Sequence, residues 1–304
     1  MKKLTTVLIL ILPAATAIGS VSVSLQDGIS GLTSNSVIDI AHDSSSIWSG
    51  TGGGAAVTFN EGETWTTYGE GHGLPRDEVS ALAANDRGVW VASSHSETVG
   101  SESVPFGDGI SLTTDGGASW ETFIPKQITW PGMLSYDLAI YDSIVFSACF
   151  YGGLIRSTDF GLTWENLYPS QLDSINSDSV DYNNNIFSRL TNRFFSVQTD
   201  TTAFPDTFSV WGGSAAGITH FYFLKDTTTQ TFNTYPDSIY QITHDDTTVT
   251  DSLRLPGDFV VALGVQKTPE GRTIWAGCRP AFSGYLRVAY SHDDGAIWHE
   301  APIG

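Results

Sequence analysis

The sequence has 304 residues and a formal net charge of −19, because 33 acidic side chains face only 14 basic ones. Such a charge repels phosphate backbones and anionic membrane surfaces, so we expect no nucleic-acid partner. The length suits one large all-β domain or two small ones. Two cysteines, Cys149 and Cys278, are too few for a disulfide scaffold or a structural zinc site.

The first residues have the pattern of an export signal. Lys2 and Lys3 precede a mostly apolar run, Leu4 to Leu12, that is too short to span a bilayer. Ala15-Thr16-Ala17 fits the small-residue motif of a cleavage site. We therefore predict that residues 1–17 are a signal peptide and that the mature protein is secreted, periplasmic or at the cell surface. No later stretch is apolar enough for a membrane span.

Beyond the signal, short alternating strands recur in a fixed order, and no helical periodicity of useful length is evident. An apolar strand is followed by a strand built on an aromatic or large residue and small residues. These second strands are IWSGT (47–51), VWVAS (89–93), VFSAC (145–149), VWGGS (210–214) and IWAGC (274–278). A third strand, a tight hairpin and a fourth strand complete the unit. The pattern predicts an all-β fold, a β-propeller of four-stranded antiparallel blades.

Five blades are recognisable in a single domain that covers residues 21–304. Their approximate bounds are 33–70, 74–125, 133–169, 188–236 and 257–304. Residues 21–37 align with residues 65–79, so Val21 to Leu25 has the position of a fourth strand without a blade of its own. Two arrangements stay open: a five-bladed ring with this strand capping one edge, or a part of a larger ring.

The two cysteines occupy equivalent positions in VFSAC and IWAGC, with one blade between them. A disulfide needs Cα atoms within roughly 7 Å of each other. We therefore predict that Cys149 and Cys278 do not bond to each other.

The hairpin before the fourth strand repeats the pattern Ser/Thr-x-Asp/Asn-x-Gly-x-x-Trp. Its four copies are TFNEGETW (58–65), TTDGGASW (113–120), STDFGLTW (157–164) and SHDDGAIW (291–298). The fourth blade has only a degenerate version around Asp226 and Phe232. Four copies argue against one catalytic centre and favour a structural element used once per repeat.

Each conserved position of this hairpin has a predicted local role. We expect the acid or amide to accept backbone N–H groups, the glycine to adopt a positive φ and the tryptophan to cover the blade edge. We also expect Ser157 and Thr163 to bond across the neck of their hairpin. The residues with these roles are Asn60, Gly62, Trp65, Asp115, Gly117, Trp120, Asp159, Gly161, Trp164, Asp293, Gly295 and Trp298.

These hairpins resemble the Asp-box, or BNR repeat, of sialidases, sortilin-type receptors, xyloglucanases and photosystem II assembly factors of the Ycf48 type. The resemblance implies that the box lies between the third and fourth strands, on the face away from the ligand. Residues 31–93 also resemble the two-component-regulator propeller repeat, through GLTSNSV and GLPRDEV. Both resemblances imply a propeller, and neither implies a reaction.

Enzymatic alternatives find little support in the sequence. Sialidases need an arginine triad for the substrate carboxylate, yet no arginine precedes Arg76, which follows the first box. A glycosidase needs two opposed carboxylates, and the sequence does not single out a pair. His244-Asp245-Asp246 could bind a metal, but a polar loop is the favoured interpretation. We predict no catalytic residue, no metal and no cofactor, and a glycoside hydrolase that uses the loop face is the alternative.

Long connections are predicted on the face opposite the tight hairpins, which is the face where a ligand would bind. They cover residues 94–109, 124–132, 168–185 and 235–258. Long loops on a rigid scaffold often carry function, although they can also be tolerated insertions. The candidate ligand-binding residues are Trp130, His95, Arg279 and His244. The sequence therefore predicts a secreted, non-catalytic propeller that binds a protein or glycan partner or serves as a scaffold.

Overall fold

A computed structural model describes residues 31–125, 134–150, 152–167, 193–204, 207–225, 238–242, 254–269, 271–280 and 285–302. Within these ranges, twenty strands form five separate four-stranded antiparallel sheets. The sheets are arranged as a β-propeller, which confirms the predicted fold class. The predicted signal peptide, the strand at Val21 to Leu25 and the degenerate box at Asp226 and Phe232 lie outside the described residues.

The strand order in every sheet follows the chain. Sheet one contains β1 (Val37–His42), β2 (Ile47–Thr51), β3 (Gly54–Thr58) and β4 (Thr66–Tyr68). A single 3-10 turn, Glu70–His72, leads to sheet two, which contains β5 (Val79–Asn85), β6 (Gly88–Val99), β7 (Glu102–Thr113) and β8 (Glu121–Phe123). Sheet three contains β9 (Ser135–Tyr141), β10 (Ile144–Cys149), β11 (Gly153–Ser157) and β12 (Glu165–Asn166). Sheet four contains β13 (Phe194–Phe204), β14 (Thr207–Ser214), β15 (Gly217–Leu224) and β16 (Ser238–Ile242). Sheet five contains β17 (Phe259–Thr268), β18 (Gly271–Arg279), β19 (Arg287–Ser291) and β20 (His299–Glu300).

The first strand of each sheet is the inner strand of the propeller. These strands contact one another in series, β1 with β5, β5 with β9, β9 with β13 and β13 with β17. Each inner strand also carries a register shift near its start, for example between Val37 and Asp39 in β1 and between Phe194 and Ser196 in β13. An extra residue of this kind bends a strand and increases its twist.

The core lies between the faces of neighbouring sheets. Trp48 of β2 is 1% exposed, and its ring lies 6.0 Å from Trp120 of sheet two at 88°. Trp90 of β6 makes the same edge-on contact with Trp164 of sheet three, at 6.3 Å and 89°. Edge-to-face contacts at these separations are favourable beyond the area that they bury. The aromatic residue of the second strand therefore holds each sheet to the next.

Small residues in the second strands allow this close approach, as the sequence predicts. A Cβ added at Gly50 of β2 would lie 2.7 Å from a Val79 methyl carbon and 2.9 Å from a Leu82 methyl carbon, both on sheet two. Real Cβ atoms essentially never come so near another heavy atom. Glycine is therefore needed here for packing between sheets.

Cys149 and Cys278 are both free and buried, which confirms that they do not bond to each other. Burial raises the pKa of Cys149 to about 11 and the pKa of Cys278 to about 12. A thiol with so high a pKa is protonated at neutral pH and is a poor nucleophile. Both side chains therefore act as small apolar core residues.

An ion-pair network joins sheets four and five. The guanidinium of Arg272, whose side chain is 9% exposed, pairs with the fully buried carboxylate of Asp200 on β13 and with Asp294. Its Nε–H donates to Asp294 Oδ1 at 3.0 Å. Asp294 belongs to the fourth tight hairpin, so this arginine fixes the hairpin against the neighbouring sheet.

Candidate functional site

The tight hairpins between third and fourth strands share one hydrogen-bond network. In the third copy, the Ser157 hydroxyl donates to Asp159 Oδ1 at 2.9 Å and accepts the Gly161 N–H at 2.8 Å. Asp159 Oδ1 also accepts the Thr163 N–H at 2.8 Å, and its Oδ2 accepts the Thr163 hydroxyl at 2.5 Å. Ser157 and Thr163 thus both bond to the carboxylate between them, and the structure shows no direct bond of the kind that the sequence led us to expect. The Asp159 carboxylate therefore links the two sides of the hairpin by accepting a hydrogen bond from each.

The first copy shows that an amide can replace the carboxylate. Asn60 Oδ1 accepts the Thr58 hydroxyl and the Thr64 N–H, both at 2.9 Å. Asn60 Nδ2 donates to the Thr64 hydroxyl at 2.9 Å, where an aspartate would accept. The Thr64 hydroxyl therefore accepts a hydrogen bond here, whereas the equivalent Thr163 hydroxyl donates one. The copy centred on Asp115 repeats the whole network of the carboxylate form. The copy centred on Asp293 keeps the bonds to Oδ1 but not the one to Oδ2, because Ile297 has no hydroxyl to donate.

The tryptophans close these hairpins. Trp164 and Trp298 are 4% and 1% exposed. Their indole N–H groups donate to the Gly161 and Gly295 carbonyls at 2.9 and 3.0 Å. Trp65 and Trp120 are half-buried. In the second hairpin, hydrogen bonds from Ser119 hold the pKa of Asp115 down to about 2. The carboxylate is therefore ionised at neutral pH and occupied by donors of its own turn.

In the second, third and fourth hairpins the glycine also contacts the preceding sheet. Gly117 has a φ of 94°, in the left-handed region, and its Cα faces the ring of Tyr68 on β4, which a Cβ would strike. The Tyr68 hydroxyl donates to the Gly116 carbonyl at 3.0 Å. At Gly161 and Gly295 a Cβ would lie 2.6 Å from Phe123 and from Ile242, again on the preceding sheet. Gly62 of the first hairpin has a φ of 90° but no neighbour closer than 3.8 Å.

Gly117 and Gly62 form a matched pair for mutation. We expect Gly117→Ala to cost about 1 kcal/mol for the left-handed backbone plus about 1–3 kcal/mol for the clash with Tyr68. Gly62→Ala should cost only the backbone part. Urea unfolding of both variants measures the difference in the free energy of unfolding. Equal losses would show that Tyr68 does not dock on the second hairpin.

Two of the four predicted ligand-binding residues, His95 and Arg279, belong to the opposite rim. In an antiparallel sheet of this order, the second strand ends on the side away from the turn between the third and fourth strands. His95 lies in the second half of β6, and Arg279 is the last residue of β18. The structure therefore places both on the rim opposite the tight hairpins, in sheets two and five. Trp130 and His244 lie outside the described residues.

His95 is enclosed by charged groups of its own hairpin. Its Nδ1 lies 2.6 Å from Asp108 Oδ2, and its Nε2 lies 3.0 Å from Glu97 Oε1. Asp108 also pairs with Arg76 at 3.5 Å, and the imidazole stacks on Phe106 with a centroid distance of 5.5 Å. The hydrogen bonds to Glu97 and Asp108 raise the pKa of His95. Both ring nitrogens are thus engaged within the protein, which favours a role in stiffening the hairpin.

A cluster of aromatic side chains, which we call the aromatic rim cluster, lies at the same rim in sheets three to five. It consists of Tyr136, Phe150, Phe195 and Phe259. The Tyr136 and Phe150 rings are 5.4 Å apart, and both lie within 6 Å of Phe195. The Arg193 guanidinium lies 5.6 Å above the Phe150 ring. Phe195 is 6% exposed, and the other three rings are half-buried.

Sequence reasoning missed this cluster because its members are scattered over three blades. Tyr136 and Phe195 both stand at the extra residue of an inner strand, where the bulge re-aims the side chain. The equivalent residues of the first two sheets are Ile38 and Ser80. Aligning the inner strands by this position would have revealed two aromatic residues in adjacent blades.

Two half-buried aspartates join neighbouring inner strands by hydrogen bonds. Asp39 Oδ1 accepts the Ile40 N–H at 2.8 Å, and its Oδ2 accepts the Leu82 N–H of the next sheet at 2.9 Å. Asp137 does the same with Leu138 and Val197, both at 2.8 Å. Burial raises the pKa of Asp39 from 3.8 to about 6, and burial together with Asp39 raises the pKa of Asp137 well above 3.8.

This shift predicts a stability that falls as pH rises from about 4 to 6. In that range the folded protein holds a proton on Asp39 that the unfolded chain has released, so the free energy of unfolding decreases, by roughly 2–3 kcal/mol for this group. His95 does not contribute there, because its raised pKa lies above the range. Asp39→Asn should reduce the slope in urea unfolding between pH 4 and 6 without removing it, because the raised pKa of Asp137 acts in the same direction. An unchanged slope would contradict the shift.

No protein-family model matches the sequence, and no curated protein matches it either. Among solved structures, the extracellular domain of the putative hybrid two-component system BT4673 from B. thetaiotaomicron is similar, with a TM-score of 0.51 and 12% identity over 80% of this chain and 26% of that one. The GH74 enzyme of Niastella koreensis is similar with a TM-score of 0.52 and 18% identity, over 84% and 35%. YCF48 bound to D1 peptide gives a TM-score of 0.46 and 16% identity, over 87% and 67%. At these identities the likeness shows the fold alone.

The chain is thus a β-propeller protein. It spans about a quarter to a third of the first two structures that it resembles, 26% and 35% of their lengths. Among the described residues, no helix is long and apolar enough to cross a membrane, and no group of three metal-ligating side chains comes together.

Proposed function

We propose that this chain is an exported, non-catalytic binding module whose protein or glycan ligand docks on the aromatic rim cluster. The observation that carries the proposal is the grouping of Tyr136, Phe150, Phe195 and Phe259 beside Arg193. Tyrosine, arginine and other aromatic residues are enriched where binding energy concentrates. Rigid aromatic faces also suit a flat ligand or the apolar face of a sugar. Three of the four rings are half-buried and keep part of their surface accessible to a ligand.

The four tight hairpins are, in this proposal, Asp-box turns that act only as structural clamps. Their carboxylates are filled by donors of the same turn, as at Asp159 and Asp115. They stand on the rim opposite the aromatic rim cluster. Export is supported by the pattern of the first 17 residues and by the description of one similar structure as an extracellular domain.

A glycoside hydrolase is the second candidate, and the raised pKa values of Asp39 and Asp137 favour it. A carboxyl group with a pKa near 6 suits a general acid. The geometry weighs against it, because both oxygens of each carboxyl accept backbone N–H groups from two inner strands. Such a group has little freedom to reach a substrate.

Arrays of polysaccharides and of peptides, probed with the folded protein, test the binding proposal. We expect a ligand of one of these classes to be bound and recovered unchanged. Release of reducing sugar that Asp39→Asn abolishes would instead establish the hydrolase. Asp86→Asn, at an exposed acid that also accepts a backbone N–H, is the matched control.

A further inference from the structure

The interface between successive sheets follows one rule. The face of a sheet that carries the second-strand aromatic, here called face A, packs on the opposite face of the following sheet, here called face B. Trp48, Trp90, Phe146 and Trp211 are the face A aromatics of the first four sheets, and all are at most 4% exposed. Leu82 and Val89, at 2% and 4%, belong to face B of sheet two.

Sheet five has a face A that no described sheet covers. It consists of Ala262, Gly264, Trp275, Gly277, Val288 and Tyr290. By register these residues match Ala81, Ala83, Trp90, Ala92, Ile110 and Leu112 of sheet two. The residues of sheet two are all buried, whereas Ala262 is exposed and the other five in sheet five are half-buried. The Trp275 and Tyr290 rings contact each other on this open face, with centroids 5.4 Å apart and planes tilted by 44°.

Sheet one has the complementary feature, an uncovered apolar surface on face B. Ile40 and Ile47 are 44% and 39% exposed. They match Leu82 and Val89 by register, because each pair stands in the same place relative to the second-strand tryptophan. The first hairpin is also open on this side, because no described residue outside its own turn comes within 4 Å of where a Cβ would lie at Gly62.

The two open faces do not cover each other. Inner strands contact in series from β1 to β17, and within the described ranges no contact of similar extent joins β17 to β1. One molecule therefore presents both halves of an interface that it uses four times internally. Exposed apolar faces of this kind mark sites of association.

We propose that face A of one copy binds face B of a second copy, so that the chain self-associates head to tail. The repeated interface itself argues for this occupant, because each open face has its partner surface on the same chain. Trp275 would pack beside the Trp65 hairpin as Trp48 packs beside Trp120. Such heterologous contacts form a closed ring or an open chain of copies. Because each copy carries a net charge of −19, added salt should strengthen the association by screening repulsion.

Sedimentation velocity at protein concentrations up to about 200 μM tests the proposal. We expect the parent to form dimers or larger species in a concentration-dependent manner. Trp275→Asp and Ile40→Asp should each be monomeric, because each removes one half of the interface. An equimolar mixture of the two variants should form a discrete heterodimer, since one intact face A and one intact face B remain. Leu162→Asp, at a position 73% exposed on the third hairpin, should behave like the parent.

A parent that stays monomeric over the whole range would overturn the proposal. Oligomers that persist in both single variants, or a mixture that stays monomeric, would also overturn it. Both positions are at least partly exposed, so the variants should fold, and far-ultraviolet circular dichroism checks this. If either aspartate variant unfolds, Ile47→Lys and Tyr290→Lys replace it on the same two faces.

Discussion

Trp164→Ala is expected to lower the free energy of unfolding by about 3–5 kcal/mol, the usual range for truncating a buried tryptophan. The ring is 4% exposed, donates to the Gly161 carbonyl and packs edge-on against Trp90 of the preceding sheet. Its loss therefore opens the interface between sheets two and three as well as the hairpin. Thermal and urea unfolding measure the effect.

The Asp159 variants provide the graded comparison. Asp159→Ala should cost about 1 kcal/mol, because it removes the acceptor of the Thr163 N–H and of two hydroxyls at a site where water replaces part of what is lost. Asp159→Asn should be mild, since the Asn60 hairpin shows the amide in the same network. If Asp159→Ala melts like the parent yet loses ligand binding, the hairpin is a ligand site and the clamp interpretation is wrong.

Arg272→Ala should destabilise the protein by about 3–5 kcal/mol, the range for breaking a buried ion pair. The change removes the guanidinium that neutralises Asp200, which is fully buried, and ties it to Asp294 of the next sheet. Arg287→Ala, in the same sheet, is the matched control. Arg287 and Glu300 are 46% and 55% exposed, and an exposed pair contributes at most about 1 kcal/mol. Similar losses in the two variants would mean that the buried network does not hold sheets four and five together.

The sequence predicted the propeller because its signals are local and repeated. The second strands, such as IWSGT and IWAGC, recur in all five blades, and the hairpin glycines, such as Gly161, recur in four of them. The hydrogen-bond network of Asp159 also follows from residues within one turn.

Neither the aromatic rim cluster nor the hydrogen bonds of Asp39 and Asp137 between inner strands could be predicted in this way. Their contacts join residues of different blades, as between Asp39 and Leu82 or between Phe195 and Phe259. Such contacts depend on the bulge of each inner strand and on how neighbouring sheets approach. A single sequence gives neither, because the bulge changes the direction of a side chain without a composition signal of its own.

The affinity of Phe150→Ala for the ligand identified on the arrays tests the central claim most directly. Isothermal titration of the folded variant should show a loss of at least about tenfold, corresponding to about 1.4 kcal/mol, since the half-buried Phe150 ring contacts Tyr136 and Phe195 and lies beneath Arg193. Leu162→Ala, on the third hairpin at the opposite rim, should change the affinity less than about twofold. Unchanged affinity in Phe150→Ala with a large loss in Leu162→Ala would place the ligand on the hairpin rim and contradict the account.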